Sequence, residues 1–287
     1  MQDPSFSYAS DGDPFFWRTA IRLVERATGQ ARLERMYLEC RRQMAPGESF
    51  WAAAMRKLAI DMQYDAEKLA AAPRTGPLLF VSNHPFGVLD GIALCSLVQT
   101  VRPDFRVLTN AVLLKAPEIR NFVLPIDLSG DPASREANAR SRVEARSFLE
   151  QGGALVLFPS GVVSTSQDRW GAQPAVDPPW QPFVARMVHG ARCPVLPVHF
   201  PGQNSRLFQI ASHVSQTVRL ALLFHEVRRR IGTPMPIRFG DVIPYEELAG
   251  LRDRQALASE LRRRSEALGF SSEVDTGSRS ENPQVKA

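Results

Sequence analysis

No stretch of the 287 residues approaches the roughly 18 to 20 uninterrupted apolar residues with which a helix crosses a bilayer, so a membrane-spanning helix is excluded and a soluble or peripheral chain is expected. Cysteine is scarce. Cys40, Cys95 and Cys193 are odd in number and far apart, and they read as free thiols in a reducing compartment, not as a disulfide framework. The start, with Asp3, Pro4 and Ser5, lacks the basic patch and apolar run of a secretory leader. Zinc-finger spacing and aromatic RNA-binding signatures are missing, so no nucleic-acid partner is expected. His189, His199, His213 and His225 show no metal-ligand spacing and read as structural; no metal and no cofactor are expected. There is no internal repeat.

What is present is a dense chain. Hydrophobic residues make up 44%, enough to bury a full core. The formal net charge is +5, spread over short clusters such as Arg228-Arg229-Arg230 and Arg262-Arg263-Arg264. That balance suits an anionic membrane surface or an acidic ligand. Residues 1–13 are polar and turn-rich and residues 271–287 hold almost nothing to bury, so both ends are expected to be disordered.

Residues 14–71 read as a helical arm. Phe15, Phe16, Ala20, Leu23 and Val24 share a face away from Arg18, Arg22 and Glu25, and Phe50-Trp51 opens a second helical run through Ile60 and Met62. The first stripe suits either a membrane interface or packing on the rest of the chain. From 72 to 270 short β-rich runs alternate with helices. Strands are expected at 78–82, 105–108, 122–126, 154–158, 195–200 and 237–239, and helices at 91–101, 133–151, 181–190, 214–230 and 253–268. This predicts an α/β domain over 72–270, with a central, mostly parallel sheet flanked by helices and the N-terminal helical arm attached.

The expected strand at 78–82 runs directly into Asn83-His84-Pro85-Phe86-Gly87-Val88-Leu89-Asp90-Gly91. In open α/β sheets that strand end is where ligands bind. Pro85 holds His84 extended and Gly87 lets the loop turn back, so the carboxylate of Asp90 can reach the imidazole. A histidine can remove a proton from a hydroxyl while a carboxylate on its other nitrogen fixes the tautomer and stabilises the imidazolium. Such a pair needs no nucleophilic side chain if the substrate brings the hydroxyl. Spacing alone leaves a blander reading open, in which Asp90 caps the helix and His84 is an ordinary loop residue.

The segment resembles the first motif of the lysophospholipid acyltransferase superfamily, the PlsC-like glycerolipid acyltransferases. It looks most like the hemolysin-named branch, written NHP-x-G-x-x-DG, with five residues between His84 and Asp90. Residues 112–127 (VLLKAPEIRNFVLPID), 154–164 (ALVLFPSGVVS) and 194–208 (PVLPVHFPGQNSRLF) resemble the following blocks in order, and 48–60 and 218–244 fit the branch as well. The resemblance spans nearly all of 15–249. It implies a glycerolipid-acyltransferase-like fold and acyl transfer from a thioester, on coenzyme A or acyl carrier protein, to a lysolipid hydroxyl. His84 is then the general base and Asp90 orients it. The free thiols and the missing leader and span lead to the expectation of a cytoplasmic protein, peripheral on the inner face of the membrane.

Other residues follow from the matched blocks. Phe158, Pro159, Ser160 and Gly161 close a strand, with Gly161 allowing close backbone approach to a ligand. The main superfamily has Glu at the position of Ser160 and an Arg soon after the glycine; here Gly161 is followed by Val162, Val163 and Ser164. That departure points away from a phosphate-bearing acceptor towards another head group, such as a lyso-aminolipid. Ser160 also permits a rival, a serine hydrolase using His84 and Asp90, although no G-x-S-x-G elbow occurs. A non-catalytic lipid-binding protein is the other alternative. Lys115 and Arg120 either face an anionic substrate group or are solvated charges. Asn204 and Ser205 either contact the acceptor or build a turn. Trp170 and Trp180 belong to an ordered or membrane-facing loop, or to the core. Oxyanion donors are expected among backbone N–H groups at the 84–91 turn or near Gly161.

Overall fold

The computed structural model describes residue 19 and residues 28–127 and 130–270. The expected disordered ends at 1–13 and 271–287 and the stripe of Phe15, Phe16, Ala20, Leu23 and Val24 lie outside the described residues.

Helices α1 (Gln30–Gln43) and α2 (Phe50–Lys57) are followed by β1 (Asp61–Gln63), α3 (Ala66–Ala70), β2 (Leu78–Ser82), α4 (Val88–Val101) and β3 (Phe105–Asn110). Two 3-10 turns, Ala111–Lys115 and Pro117–Phe122, lead to β4 (Val123–Ile126) and α5 (Pro132–Glu150). Then come β5 (Ala154–Leu157), β6 (Thr165–Ser166), β7 (Ala175–Val176), α6 (Phe183–Ala191) and β8 (Val195–His199). The order closes with α7 (Arg206–Val214), α8 (Gln216–Arg230), β9 (Pro234–Pro236), β10 (Arg238–Phe239), α9 (Tyr245–Leu248) and α10 (Arg254–Phe270).

Six strands form one sheet in the order β10-β8-β2-β5-β3-β4. All pair in parallel except β10, which is antiparallel at the edge. Both faces are covered, which is why the central strands read as unbroken apolar runs. Alternate residues serve opposite cores. Leu78 and Phe80 pack with Trp51, Met55, Leu89 and Ala93, whereas Leu79 and Val81 pack with Ala145, Leu149, Val184 and Leu257. The fold is α/β, with a mostly parallel sheet between two helical layers, as expected.

The N-terminal region differs from the expected arm in two respects. The second helical run stops at Lys57 and not near Met62, because Ala59 takes a left-handed backbone (φ 49°) and the chain then enters β1, which pairs in parallel with β9. The Trp51 ring lies 6.3 Å from Phe105 and 6.2 Å from Phe122, so α2 shares its core with the sheet. Further along, α7 occupies a stretch for which no helix was expected, directly after the possible turn at Asn204 and Ser205. Among the described residues no helix is long and apolar enough to cross a membrane. The three cysteines are buried and free, and burial pushes the Cys193 thiol up to about 12.

Candidate active site

β2 lies between β8 and β5, so the residues after it sit at the middle of the sheet's C-terminal edge. Asn83 clasps this edge. Its Nδ2 donates to the Phe200 carbonyl at 2.9 Å and its Oδ1 accepts from the Phe200 N–H at 2.8 Å. The side chain expected at the substrate is thus held on backbone, joining the ends of β2 and β8.

His84 is fixed through its own backbone and its ring. The N–H donates to Asp177 Oδ1 at 3.1 Å and the carbonyl accepts from Ser164 N–H at 2.9 Å. Nδ1 lies 3.1 Å from Asp90 Oδ2, and the ring packs on Phe158 with centroids 4.2 Å apart. The side chain is 18% exposed and Nδ1 is buried, so Nε2 is the nitrogen left for a substrate.

Asp90 is fully buried. Helix α4 begins at Val88, three residues earlier than expected, and places Asp90 inside its first turn. Oδ2 accepts from the N–H groups of Phe86 at 2.8 Å and Gly87 at 3.0 Å while also facing His84. The oxygen that caps the helix is therefore also the one beside the His84 ring. Burial pushes the Asp90 carboxyl up, opposed by His84 and by the two amides. Gly87 has φ 70°, and a Cβ there would stand 2.9 Å from Leu223 Cδ2 and 3.2 Å from Val163 Cγ2. A side chain at 87 would have to push the Leu223 and Val163 side chains aside and adopt a backbone conformation that L residues rarely take.

A cavity of about 200 Å³ opens over His84. Of the expected residues, His84, Gly87, Phe158, Pro159 and Gly161 line it, and Asp90 sits behind His84. The others are placed elsewhere. Ser160 is buried, its hydroxyl donates to the Val162 carbonyl at 2.8 Å, and it does not line the cavity. Lys115 and Arg120 are exposed on the 3-10 turns, with Arg120 Nε donating to the Leu114 carbonyl at 2.9 Å. Ser205 caps α7 and its hydroxyl donates to Glu226. Asn204 is buried beside it, with neither amide atom hydrogen-bonded to protein. The amides of His84, Phe86, Gly87 and Gly161 are committed to Asp177, Asp90, Asp90 and the Phe158 carbonyl, so the oxyanion donors are not these four.

Three residues at the site escaped sequence reasoning. Asp177 is buried and also accepts from Ser164 Oγ and Trp180 Nε1, the latter at 2.9 Å. This places Trp180 in the core, while Trp170 is 59% exposed. Arg219 of α8 lines the cavity and donates to the Val163 carbonyl; its burial lowers its pKa. Arg142 of α5 lines it too, 5.5 Å over the Phe183 ring. No Asp or Glu lines the cavity, so its charge is positive. A lone arginine in the apolar run 218–224 was the one available signal for Arg219. A second, almost wholly apolar cavity of about 150 Å³ adjoins, sharing Val88, Val112, Leu113 and Leu223 with the first and reaching Trp51 and Tyr37. No three His, Cys, Asp or Glu side chains among the described residues form a metal-binding group.

A family model described as Acyltransferase matches residues 16–269. The chain belongs to this family. The acyltransferase is 27% identical over 208 residues to the lyso-glycine lipid O-acyltransferase of Phocaeicola vulgatus, covering 70% of each chain. It is also 27% identical over 208 residues to the protein of the same name from Bacteroides thetaiotaomicron, covering 70% of this chain and 72% of that one. The crystal structure of the 1-acyl-sn-glycerophosphate (LPA) acyltransferase PlsC from Thermotoga maritima aligns at 14% identity and TM-score 0.47, over 93% of this acyltransferase and 91% of that chain. The superfamily resemblance read from the ordered sequence blocks is borne out by the family match and the two relatives.

Proposed function

We propose that the enzyme moves a fatty acyl group from a thioester, on coenzyme A or acyl carrier protein, to a free hydroxyl of a lysolipid, with His84 as general base. The observation that carries this reading is the His84 ring, with Nδ1 3.1 Å from Oδ2 of buried Asp90 and the ring open to a cavity on its other side. With Nδ1–H directed at Asp90, Nε2 takes the acceptor's proton and Asp90 stabilises the imidazolium. The acceptor oxygen attacks the thioester carbonyl, the tetrahedral intermediate collapses, the C–S bond breaks, and the thiolate takes up the proton. The adjoining apolar cavity suits the acyl chain. Arg142 and Arg219 suit an anionic head group, and a lysolipid with an amino-acid head group, of the kind the two relatives are named for, fits this charge. With lipid substrates and a net positive surface, the enzyme works at the cytoplasmic face of a membrane. The serine-hydrolase alternative is disfavoured by the Ser160 hydroxyl, which is tied to Val162.

The test is turnover of lyso-glycine lipid with an acyl thioester. His84→Ala is expected to lower the rate by about 10²- to 10⁴-fold. Full activity in folded His84→Ala protein would overturn the assignment. Vesicle binding without turnover of any thioester and lysolipid pair would favour the lipid-binding alternative.

A further inference from the structure

Several arginines of this surface are neutralised close by. On α10, Arg262 pairs with Glu266, Arg263 with Glu260, and Arg264 with Glu260 and Glu247; on α5, Arg140 pairs with Glu136. One recess gathers arginines without acidic neighbours in its wall. A groove of about 820 Å³ between α5, α6 and the 245–254 segment is lined by Arg142, Arg146, Arg186, His189, Arg252 and Arg254, with no acidic residue in its wall. Arg146 is bound to Glu150, but Arg142, Arg186, Arg252 and Arg254 are exposed and form no ion pair among the described residues. Like charges gathered without counter-charges repel, and the arrangement is relieved by an anionic partner.

We propose that this groove docks the acidic helical surface of the carrier protein that delivers the acyl thioester, an inference that rests on the acyl-transfer reading above. Two features select this occupant. The arginines are distributed over three separate elements along an open trough, whose lining also includes Ala139, Ala185 and Met187. That spread matches a rod of carboxylates and does not converge on a single phosphate, and a planar membrane does not enter a recess. Arg142 and Phe183 line both this groove and the His84 cavity, so a thioester on the carrier's flexible arm passes from one directly into the other.

The triple variant Arg186→Glu, Arg252→Glu, Arg254→Glu tests this in the full chain, because none of the three lines the His84 cavity. Two donors are compared with lyso-glycine lipid as acceptor: decanoyl-loaded acyl carrier protein, and the uncharged decanoyl thioester of N-acetylcysteamine. With the carrier, kcat/KM is expected to fall about ten-fold or more and to lose its salt dependence, while the small thioester's rate stays within about two-fold. Binding of unloaded carrier protein, measured by calorimetry, weakens in parallel. Unchanged carrier turnover, an equal loss with both donors, or absence of carrier binding to the wild-type chain overturns the proposal. Lost binding to phosphatidylglycerol vesicles with carrier turnover intact also overturns it and assigns the groove to a membrane. If the wild type turns over neither donor, the acyl-transfer reading fails, and carrier binding by wild type and variant still decides the docking.

Discussion

Asp177 holds His84 by the backbone: its Oδ1 accepts the His84 N–H at 3.1 Å from 93 residues away, while Oδ2 accepts Trp180 Nε1 at 2.9 Å. Both carboxylate oxygens are thus committed to hydrogen bonds within the protein, and Asp177 does not line the cavity. Asp177→Asn keeps the shape but sets an amide N–H against one of these donors. We expect kcat per folded enzyme to fall about ten- to a hundred-fold, since sub-ångström placement of a base carries that much rate. The KM for the lysolipid should not move. A fall explained entirely by a lower folded fraction, measured by thermal denaturation, would make Asp177 merely structural.

Asp90 combines two tasks in one oxygen. Asp90→Asn can still accept from Phe86 and Gly87, so the start of α4 should survive and the melting temperature should change little. The charge that stabilises the imidazolium is lost, and turnover is expected to drop about 10²-fold or more. Asp90→Ala removes the cap as well and should cost about 1 kcal/mol or more of stability in addition. If Asn and Ala variants lose the same activity and the same stability, the separation of the two tasks is wrong.

These two carboxylates mark how far the sequence could be read. Asp90 was legible because a short loop after an apolar strand brings it back to His84, and Pro85 and Gly87 spell that loop locally. Asp177 was not, because only the tertiary fold joins two loops so far apart in the chain. The central strands were legible as unbroken apolar runs. Helix α7 was missed because Ser205 reads as a turn residue in isolation and acts as an N-cap only when followed by Phe208 and Ala211 facing the core. Lys115 and Arg120 were drawn to the site by their block, but the 3-10 turns present them to solvent.

At the opposite edge of the sheet, Arg102 is fully buried and ties three loops. Its guanidinium donates to the carbonyls of Pro73, Gly76 and Gly152 and to both oxygens of Asp104. Arg102→Met strands those carbonyls and should destabilise the fold by about 3 kcal/mol or more in chemical denaturation, with kcat of the folded fraction unchanged. The hydrogen bonds from Arg102 hold the Asp104 carboxyl below the usual range. A lowered native pKa contributes stability that is present above about pH 4, the unfolded value, and is lost as pH falls below it. Asp104→Asn should remove that part of the acid dependence, and an unchanged acid limb would show the pair to be inert.

The apolar cavity beside the site makes a prediction about chain length. It begins at Val88, Val112, Leu113 and Leu223, which it shares with the His84 cavity, and ends among Tyr37, Trp51 and Ala116. Ala116 is buried and lines it, so Ala116→Phe places a ring in existing space instead of forcing apart a packed core. A long acyl chain then loses room that a short one never uses. Each methylene excluded from an apolar pocket costs about 1 to 3 kcal/mol of transition-state binding. Palmitoyl transfer should therefore fall about ten-fold or more, while hexanoyl transfer keeps its rate. Ala54→Leu, which narrows the same cavity from α2, should act in the same direction with a smaller effect. The observation that would sink the assignment is a uniform loss across chain lengths in both variants, because a pocket that measures the acyl chain discriminates by length and a damaged fold does not.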